Sequence, residues 1–296
     1  MNLDKQVILD MLKRLRRRDR TRRLFGAAEH DYRLNPPVSV SVVEKFERTH
    51  GIVLPEDYRY FITEIGNGGA GPYYGLFPFE LHDGSLSLPE CDGGDLIGDV
   101  SKPFPHAKGW NLPRSFWDQE PEIPHGTLAE EDRMVAEWDQ VEQEHYWNPS
   151  IMNGAIPICH LGCALRQWLV VSGDQRGFIW SDYRADRRGI FPLQARSGRP
   201  MSFSDWYLSW LNESLRATSF GNRIADFLRG GKQVKVISFH EEDDLKLRQA
   251  GQLADAIAAP RQVAHRGSRR RDLLAALILI AAGVVLGVAI ALRRRR

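Results

Sequence analysis

The sequence predicts an α+β fold in which an antiparallel sheet is flanked by helices, followed by a single C-terminal transmembrane helix. Residues 41–66 have apolar side chains at helical spacing, and residues 155–183 contain three short apolar runs separated by turn residues. Residues 273–292 form an uninterrupted apolar segment. Because helical patterns come early and late with strands between them, the main domain is predicted to be α+β.

Residues 1–23 are predicted to form a basic amphipathic helix. Residues 13–23 contain eight basic residues and one acidic residue, Asp19. The apolar positions that share one face are Leu3, Val7, Ile8, Met11, Leu12 and Leu15. The basic face is either solvated while the apolar stripe packs on the domain, or in contact with anionic lipid. Nucleic acid is not expected, because the run lacks interleaved aromatic residues.

Residues 24–231 are predicted to form the main domain, which begins with a connector and two helices. Ser41 and Glu44 have the spacing of a capping box at the start of the first helix. Gly51 suits the left-handed conformation that ends it, and Pro55 suits the first position of the second helix. The second helix is predicted to bury one face, made by Tyr58, Phe61, Ile62 and Ile65.

A glycine-rich turn follows at residues 66–75. Gly66, Gly68 and Gly71 fit G-x-G-x-x-G, but a helix precedes the turn and Pro72 follows it, which argues against dinucleotide binding. We predict a tight, exposed turn. Its candidate binding residues are Gly68, Gly69, Gly71, Tyr73 and Tyr74. The alternative is that both tyrosines only cover the core.

The rest of the main domain is predicted to supply the sheet and a closing helix. Residues 76–79, 155–158, 165–172 and 178–183 have the composition of strands, with 167–171 as a central strand. Residues 85–124 are irregular, with short strands possible near 96–97. Ser204 is predicted to begin an amphipathic helix that buries Trp206, Tyr207, Trp210 and Leu211.

Residues 118–144 are strongly acidic, with ten carboxylates and Arg133 as the single basic residue. The segment is predicted to be a solvated helix and loop. It could also serve as an electrostatic docking surface for a basic partner, or face the basic N-terminal helix of the same chain.

Three pieces in order resemble the SMI1/KNR4 (SUKH) family. They are Phe46-Glu47, Gly51, Leu54-Pro55, Tyr58, Phe61 and Gly66 to Gly69; the run at residues 169–182; and the closing helix at 203–207. The resemblance implies an α+β domain that binds other proteins, without catalytic residues. Bacterial members are mostly associated with immunity against polymorphic toxins, and fungal members with cell-wall regulation. Within the second piece, Trp180 and Asp182 are further candidate binding residues.

The C-terminal part is predicted to be a linker (232–272), a transmembrane helix (273–292) and a basic tail (293–296). The span runs from Leu273 to Leu292, about 30 Å of helix, and arginines flank both ends. A buried core helix is the alternative. Gly283 and Gly287 have the GxxxG spacing that can bring two helices together. Without an N-terminal signal, the main domain is expected to be cytoplasmic at the cell membrane.

No enzymatic activity, metal or cofactor is expected. Cys159, His160 and Cys163 cluster in sequence, but a zinc site would need a fourth ligand such as Cys91 or His106. The leading hypothesis is a membrane-anchored protein-binding domain of the immunity type, which neutralises a toxin by occlusion. The alternative is a membrane-associated regulatory scaffold in cell-envelope processes.

Overall fold

The computed structural model describes residues 3–88, 96–122 and 127–219, which lie in the first of two compact units, residues 1–241. The helices are α1 (Lys5–Arg18), α2 (Ala27–His30), α3 (Val40–His50), α4 (Glu56–Tyr60), α5 (Arg114–Trp117), α6 (Leu128–His145) and α7 (Phe203–Ala217). The strands are β1 (Glu80–His82), β2 (Ser85–Ser87), β3 (Ala155–Gly162), β4 (Leu165–Val170), β5 (Ile179–Asp182) and β6 (Ile190–Pro192). The predicted α+β class, with antiparallel sheets flanked by helices, is confirmed.

The main sheet is an antiparallel meander in the order β3-β4-β5-β6. Its register pairs Trp168 with Pro157 on one side and with Trp180 on the other. The prediction that residues 167–171 form a central strand is confirmed, because β4 has a neighbour on each side. The short strand β6 was not predicted.

Both faces of the main sheet are buried, which explains why most residues of its strands are apolar. Alternate residues of a strand point to opposite faces. Leu169 and Ile179 therefore join the large core shared with the helices, whereas Trp168 and Trp180 join a second core. Phe104 is part of this second core, so the irregular segment before α5 covers that face of the sheet.

Helix α1 packs its apolar stripe into the domain. Asp4 caps the helix by accepting a hydrogen bond from the Val7 N–H at 2.9 Å. The residues it buries are Ile8, Met11, Leu12 and Leu15. Val7, predicted to share that face, is 51% exposed. The stripe thus packs on the domain, as the first interpretation expects, and most of the basic side chains stay exposed.

The two predicted early helices exist, but their start signals differ from the prediction. The capping box is wrong, because α3 begins at Val40 after Ser39, which places Ser41 inside the helix. Gly51 ends α3 with a φ of 63°, the left-handed conformation predicted for it. Pro55 precedes α4 rather than opening it, and the chain continues as a π-helical turn, Phe61–Ile65. The predicted buried face is confirmed for Tyr58, Phe61, Ile62 and Ile65.

The closing helix α7 begins one residue earlier than predicted. Ser202, not Ser204, is its cap, and its hydroxyl accepts from the Asp205 N–H at 3.2 Å. The predicted aromatic face is confirmed, since Trp206, Tyr207, Trp210 and Leu211 are all buried.

Two strand predictions are wrong in position. Residues 76–79 make only isolated bridges, through Leu76, and the regular hairpin of β1 and β2 follows them. No strand forms at residues 96–97. Leu76 pairs with a bulged part of β3, at Cys159, so local composition alone could not predict where a regular strand forms.

Helix α2 was not predicted, and it places His30 against the core. The His30 Nδ1 accepts a hydrogen bond from the Tyr32 N–H at 3.0 Å, so this nitrogen is unprotonated. Burial lowers the pKa of His30 from 6.5 to about 4. In the unfolded chain the imidazole titrates near 6.5, so between pH 6.5 and 4 the unfolded state binds more protons.

Stability is therefore expected to fall as the pH drops from 6.5 towards 4, by at most about 1.4 kcal/mol per pH unit for this one group. His30→Asn keeps an acceptor but does not titrate in this range. Urea titrations at several pH values should show a shallower acid-side slope for the variant. An identical slope in both proteins would exclude His30 as the source.

Within residues 3–88, 96–122 and 127–219, no helix is long and apolar enough to cross a membrane. The predicted linker, span and tail at 232–296, with Gly283 and Gly287, lie outside these ranges.

Candidate protein-binding surface

The glycine-rich turn is buried, so its predicted exposure is wrong. Of the candidate residues, Gly68 and Gly71 are buried and Gly69 is half-buried. The turn lies between two backbone segments: the Asn35 N–H donates to the Gly68 carbonyl at 3.1 Å, and the Gly69 N–H donates to the Leu76 carbonyl at 2.9 Å. These glycines allow the neighbouring backbones to approach closely. A glycine-rich composition suits such a buried turn as well as an exposed one, so it does not distinguish them.

Asn67 fastens this turn to the chain that leaves it. Its side-chain amide donates to the Phe79 carbonyl at 2.8 Å and its side-chain oxygen accepts from the Phe79 N–H at 2.9 Å. Asn67 is only 7% exposed. The Asn67 side chain therefore makes the two hydrogen bonds to Phe79 that a neighbouring strand would make. The turn is a structural part of the core.

Of the two candidate tyrosines, Tyr74 has the accessible ring. Tyr74 is 39% exposed, whereas Tyr73 is half-buried against the large core. The Tyr74 ring stacks on His160 with centroids 5.5 Å apart and meets Phe25 edge-on at 5.1 Å. A binding role for either tyrosine stays a prediction, and Tyr74 offers a pre-ordered aromatic surface for it.

Trp180 and Asp182 are inside the protein. Trp180 is 0% exposed and packs edge-on against Phe104, with ring centroids 4.8 Å apart. Asp182 is 3% exposed and accepts two hydrogen bonds from the Arg184 guanidinium, at 2.9 and 2.7 Å. A binding role for Trp180 and Asp182 stays a prediction, and it would require this part of the fold to open.

The buried Arg184 belongs to a network that sequence reasoning missed. Its guanidinium is 0% exposed and also donates to the Tyr146 carbonyl at 3.1 Å. The Tyr146 hydroxyl donates to Asn111 at 2.9 Å and accepts from the Gly189 N–H at 3.0 Å. Burial raises the pKa of Tyr146 above its usual range. Because Tyr146 directly follows α6, the network ties the end of that helix to the sheet.

Helix α6 carries most of the acidic segment. At its start, Thr127 and Glu130 form a capping box, and the hydrogen bonds from Thr127 lower the pKa of Glu130. The helix has 18 residues and none of them is buried. Its body-facing positions are only half-buried, so α6 lies on the surface of the domain.

One side of α6 combines carboxylates with exposed apolar side chains. We call it the acidic stripe: Leu128, Asp132, Val135 and Asp139, at spacing i, i+4, i+7 and i+11. Leu128 is 79% exposed and Val135 is 41% exposed. Within the part of the chain that the structure describes, neither Asp132 nor Asp139 makes an ion pair. The stripe thus presents unneutralised charge beside apolar surface.

Other carboxylates of the acidic segment are paired within the domain. Arg187 donates to Glu120 at 2.6 and 2.9 Å and to Glu142 at 3.0 Å, with its guanidinium 4.6 Å from the Trp117 ring centroid. Hydrogen bonds from Arg187 lower the pKa of Glu120. The partner of these carboxylates is the loop after β5. One alternative was that the acidic segment faces the basic helix α1. That helix packs on α7 instead.

The Cys159–His160–Cys163 cluster does not converge. Cys159 is buried, its thiol donates to the Pro72 carbonyl at 3.1 Å, and burial raises its pKa. Cys163 is exposed, and Cys91 lies outside the described residues. Among the residues that the structure describes, no three His, Cys, Asp or Glu side chains are placed to hold a metal ion.

A cleft of about 610 Å³ opens where α4 and α7 begin. Asp57 lines it, but its carboxylate accepts from the Ser204 N–H and from the Tyr58 N–H, both at 2.8 Å. This carboxylate therefore satisfies a backbone N–H in the first turn of α7, beside the Ser202 cap.

Comparisons with protein families, with curated proteins and with solved structures find no match for this chain.

Proposed function

We propose that this chain is a membrane-anchored, SMI1/KNR4-like protein-binding domain of the immunity type, which neutralises a toxin by covering its working surface. The observation that carries the proposal is the acidic stripe, an exposed row of carboxylates and apolar side chains on a helix with no buried residue. Such a surface suits a basic partner with apolar surface of its own.

The chemistry of the stripe gives each residue type a separate part in binding. The charges of Asp132 and Asp139 raise the encounter rate with a basic surface and disfavour acidic partners. Leu128 and Val135 supply apolar area, which slows dissociation once they are covered. Binding by this surface requires no bond-making step, which agrees with inhibition by occlusion.

Membrane anchoring is the second part of the proposal. The predicted span at residues 273–292 would hold the domain at the inner face of the cell membrane. A tether raises the effective concentration of the domain against any partner that arrives at that membrane.

Co-expression tests the immunity role. The chain is expressed with the toxin encoded beside its gene, and it is expected to restore growth. Asp132→Lys with Asp139→Lys should abolish protection while leaving the fold intact, because both side chains are exposed and neither makes an ion pair with another described residue.

Glu29→Lys with Asp174→Lys is the matched control. It makes the same change in net charge at exposed positions away from α6 and should protect as well as the natural chain. Equal loss of protection in both double variants would exclude the acidic stripe, and a chain that protects against no neighbouring toxin would remove the immunity role.

A further inference from the structure

The surface of α1 concentrates exposed positive charge. Lys13, Arg14 and Arg17 on this helix are exposed, as is Arg20 just after it, and Asp10 is the acidic residue on the helix. Asp19, the only carboxylate in residues 13–23, is 5% exposed. It is turned inward, where it accepts from the Arg23 N–H at 2.8 Å, the Leu24 N–H at 3.1 Å and the Tyr32 hydroxyl at 2.7 Å.

A groove of about 690 Å³ runs between α1 and the end of α7. Val7, Met11 and Leu215 give it apolar walls, and Arg14, Arg18 and Arg216 also line it. Arg18 is held in place by donating to the Leu215 carbonyl at 3.4 Å. Guanidinium groups above apolar walls match the phosphate of a lipid head group with the first carbons of its chains.

The chain also leaves the described part of the domain at this groove. Ser219, the last of the described residues, lines it. In the sequence, the predicted span begins 54 positions later, at Leu273.

We propose that the face formed by α1 and the end of α7 docks on an anionic bilayer, with the groove taking a lipid phosphate. In the cell, this docking rests on the proposed membrane location. Binding of the basic face to anionic lipid can be tested separately. Val7, which is 51% accessible and lines the groove, favours a bilayer over nucleic acid, because the interface between head groups and acyl chains accommodates apolar side chains.

The test uses the full chain with Cys91→Ser and Cys163→Ser, which leaves Cys159 buried. Val7→Cys then carries an environment-sensitive fluorophore. The protein is mixed or reconstituted with vesicles of phosphatidylcholine alone, or of phosphatidylcholine with phosphatidylglycerol. The label is expected to shift to the blue only with the anionic lipid, and high salt should reverse the shift.

Charge reversal gives the quantitative arm. Lys13→Glu, Arg14→Glu and Arg17→Glu together should weaken the response to anionic vesicles roughly hundredfold, since each basic residue near such a surface contributes several-fold. Arg48→Glu, Lys108→Glu and Arg114→Glu make the same charge change at exposed positions off this face and should leave the response unchanged. A label at Leu128→Cys should not respond.

Three results would overturn the inference: no response to phosphatidylglycerol, an equal loss of response in both triple variants, or removal of the response by duplex DNA at equal phosphate concentration. Failure of the anchor is a separate result. In that case the chain stays in solution with phosphatidylcholine vesicles. The response of the label to added phosphatidylglycerol still tests whether this face binds anionic lipid.

Discussion

Replacing Arg184 with methionine is expected to lower the free energy of unfolding by about 3–5 kcal/mol. Arg184 and Asp182 are 0% and 3% exposed, and the two hydrogen bonds from the guanidinium to the carboxylate are 2.9 and 2.7 Å long. Methionine preserves much of the volume but leaves the Asp182 carboxylate buried without its counter-charge. Urea unfolding followed by tryptophan fluorescence measures the loss.

The double variant Arg184→Met with Asp182→Asn separates charge from packing. The side-chain amide that Asp182→Asn introduces is neutral, and its oxygen could still accept from the Trp168 indole N–H, which lies 3.2 Å from the natural carboxylate. The double variant should therefore be more stable than Arg184→Met alone. If Asp182→Asn lowers the free energy of unfolding further, the cost of Arg184→Met comes from packing.

Gly68→Ala is expected to cost about 3 kcal/mol, which combines an unfavourable backbone conformation with steric overlap. Gly68 has a φ of 79°, and a methyl group there would lie 2.7 Å from the Pro78 backbone nitrogen. The neighbour is backbone, which cannot rotate away as a side-chain end can.

Gly51→Ala is the matched control for the glycine turn. Gly51 has a φ of 63°, but no atom lies within 4 Å of a methyl group placed there. Its cost should be about 1 kcal/mol, from backbone conformation alone. Equal costs at both positions would mean that the turn is not packed against Pro78 in solution.

The elements that the sequence predicted well are those in which periodicity and burial agree. Tyr58, Phe61 and Ile62 on α4 and its π-turn, and the aromatic residues of α7, repeat at helical spacing because one face meets the core. Strand β4 was predicted as central because its apolar run needs cover on both faces, and two separate cores provide it.

The predictions that failed depend on contacts between distant parts of the chain. The glycine turn has the composition of an exposed loop, yet its burial follows from hydrogen bonds to Asn35 and Leu76. Helix starts were misplaced by one or two residues, since Ser39 and Ser41 offer equivalent cap chemistry locally. Strand β6, three residues long, has too short a pattern to detect.

The candidate surface was predicted only in outline. Ten carboxylates in residues 118–144 marked an acidic docking region, but pairing within the fold divides them. Arg187 pairs with both Glu120 and Glu142, whereas Asp132 and Asp139 make no ion pair with another described residue and lie beside Leu128 and Val135. Which carboxylates remain available depends on a salt-bridge partner more than forty residues away, and spacing alone does not reveal it.

The most direct test of binding through the acidic stripe is the dissociation constant for the neighbouring toxin, measured by calorimetry at low and high salt. Asp132→Lys with Asp139→Lys should weaken binding at low salt by roughly tenfold to hundredfold, and salt should weaken the natural complex more than the variant complex. An unchanged dissociation constant, with the same salt dependence in both proteins, would contradict binding through this helix.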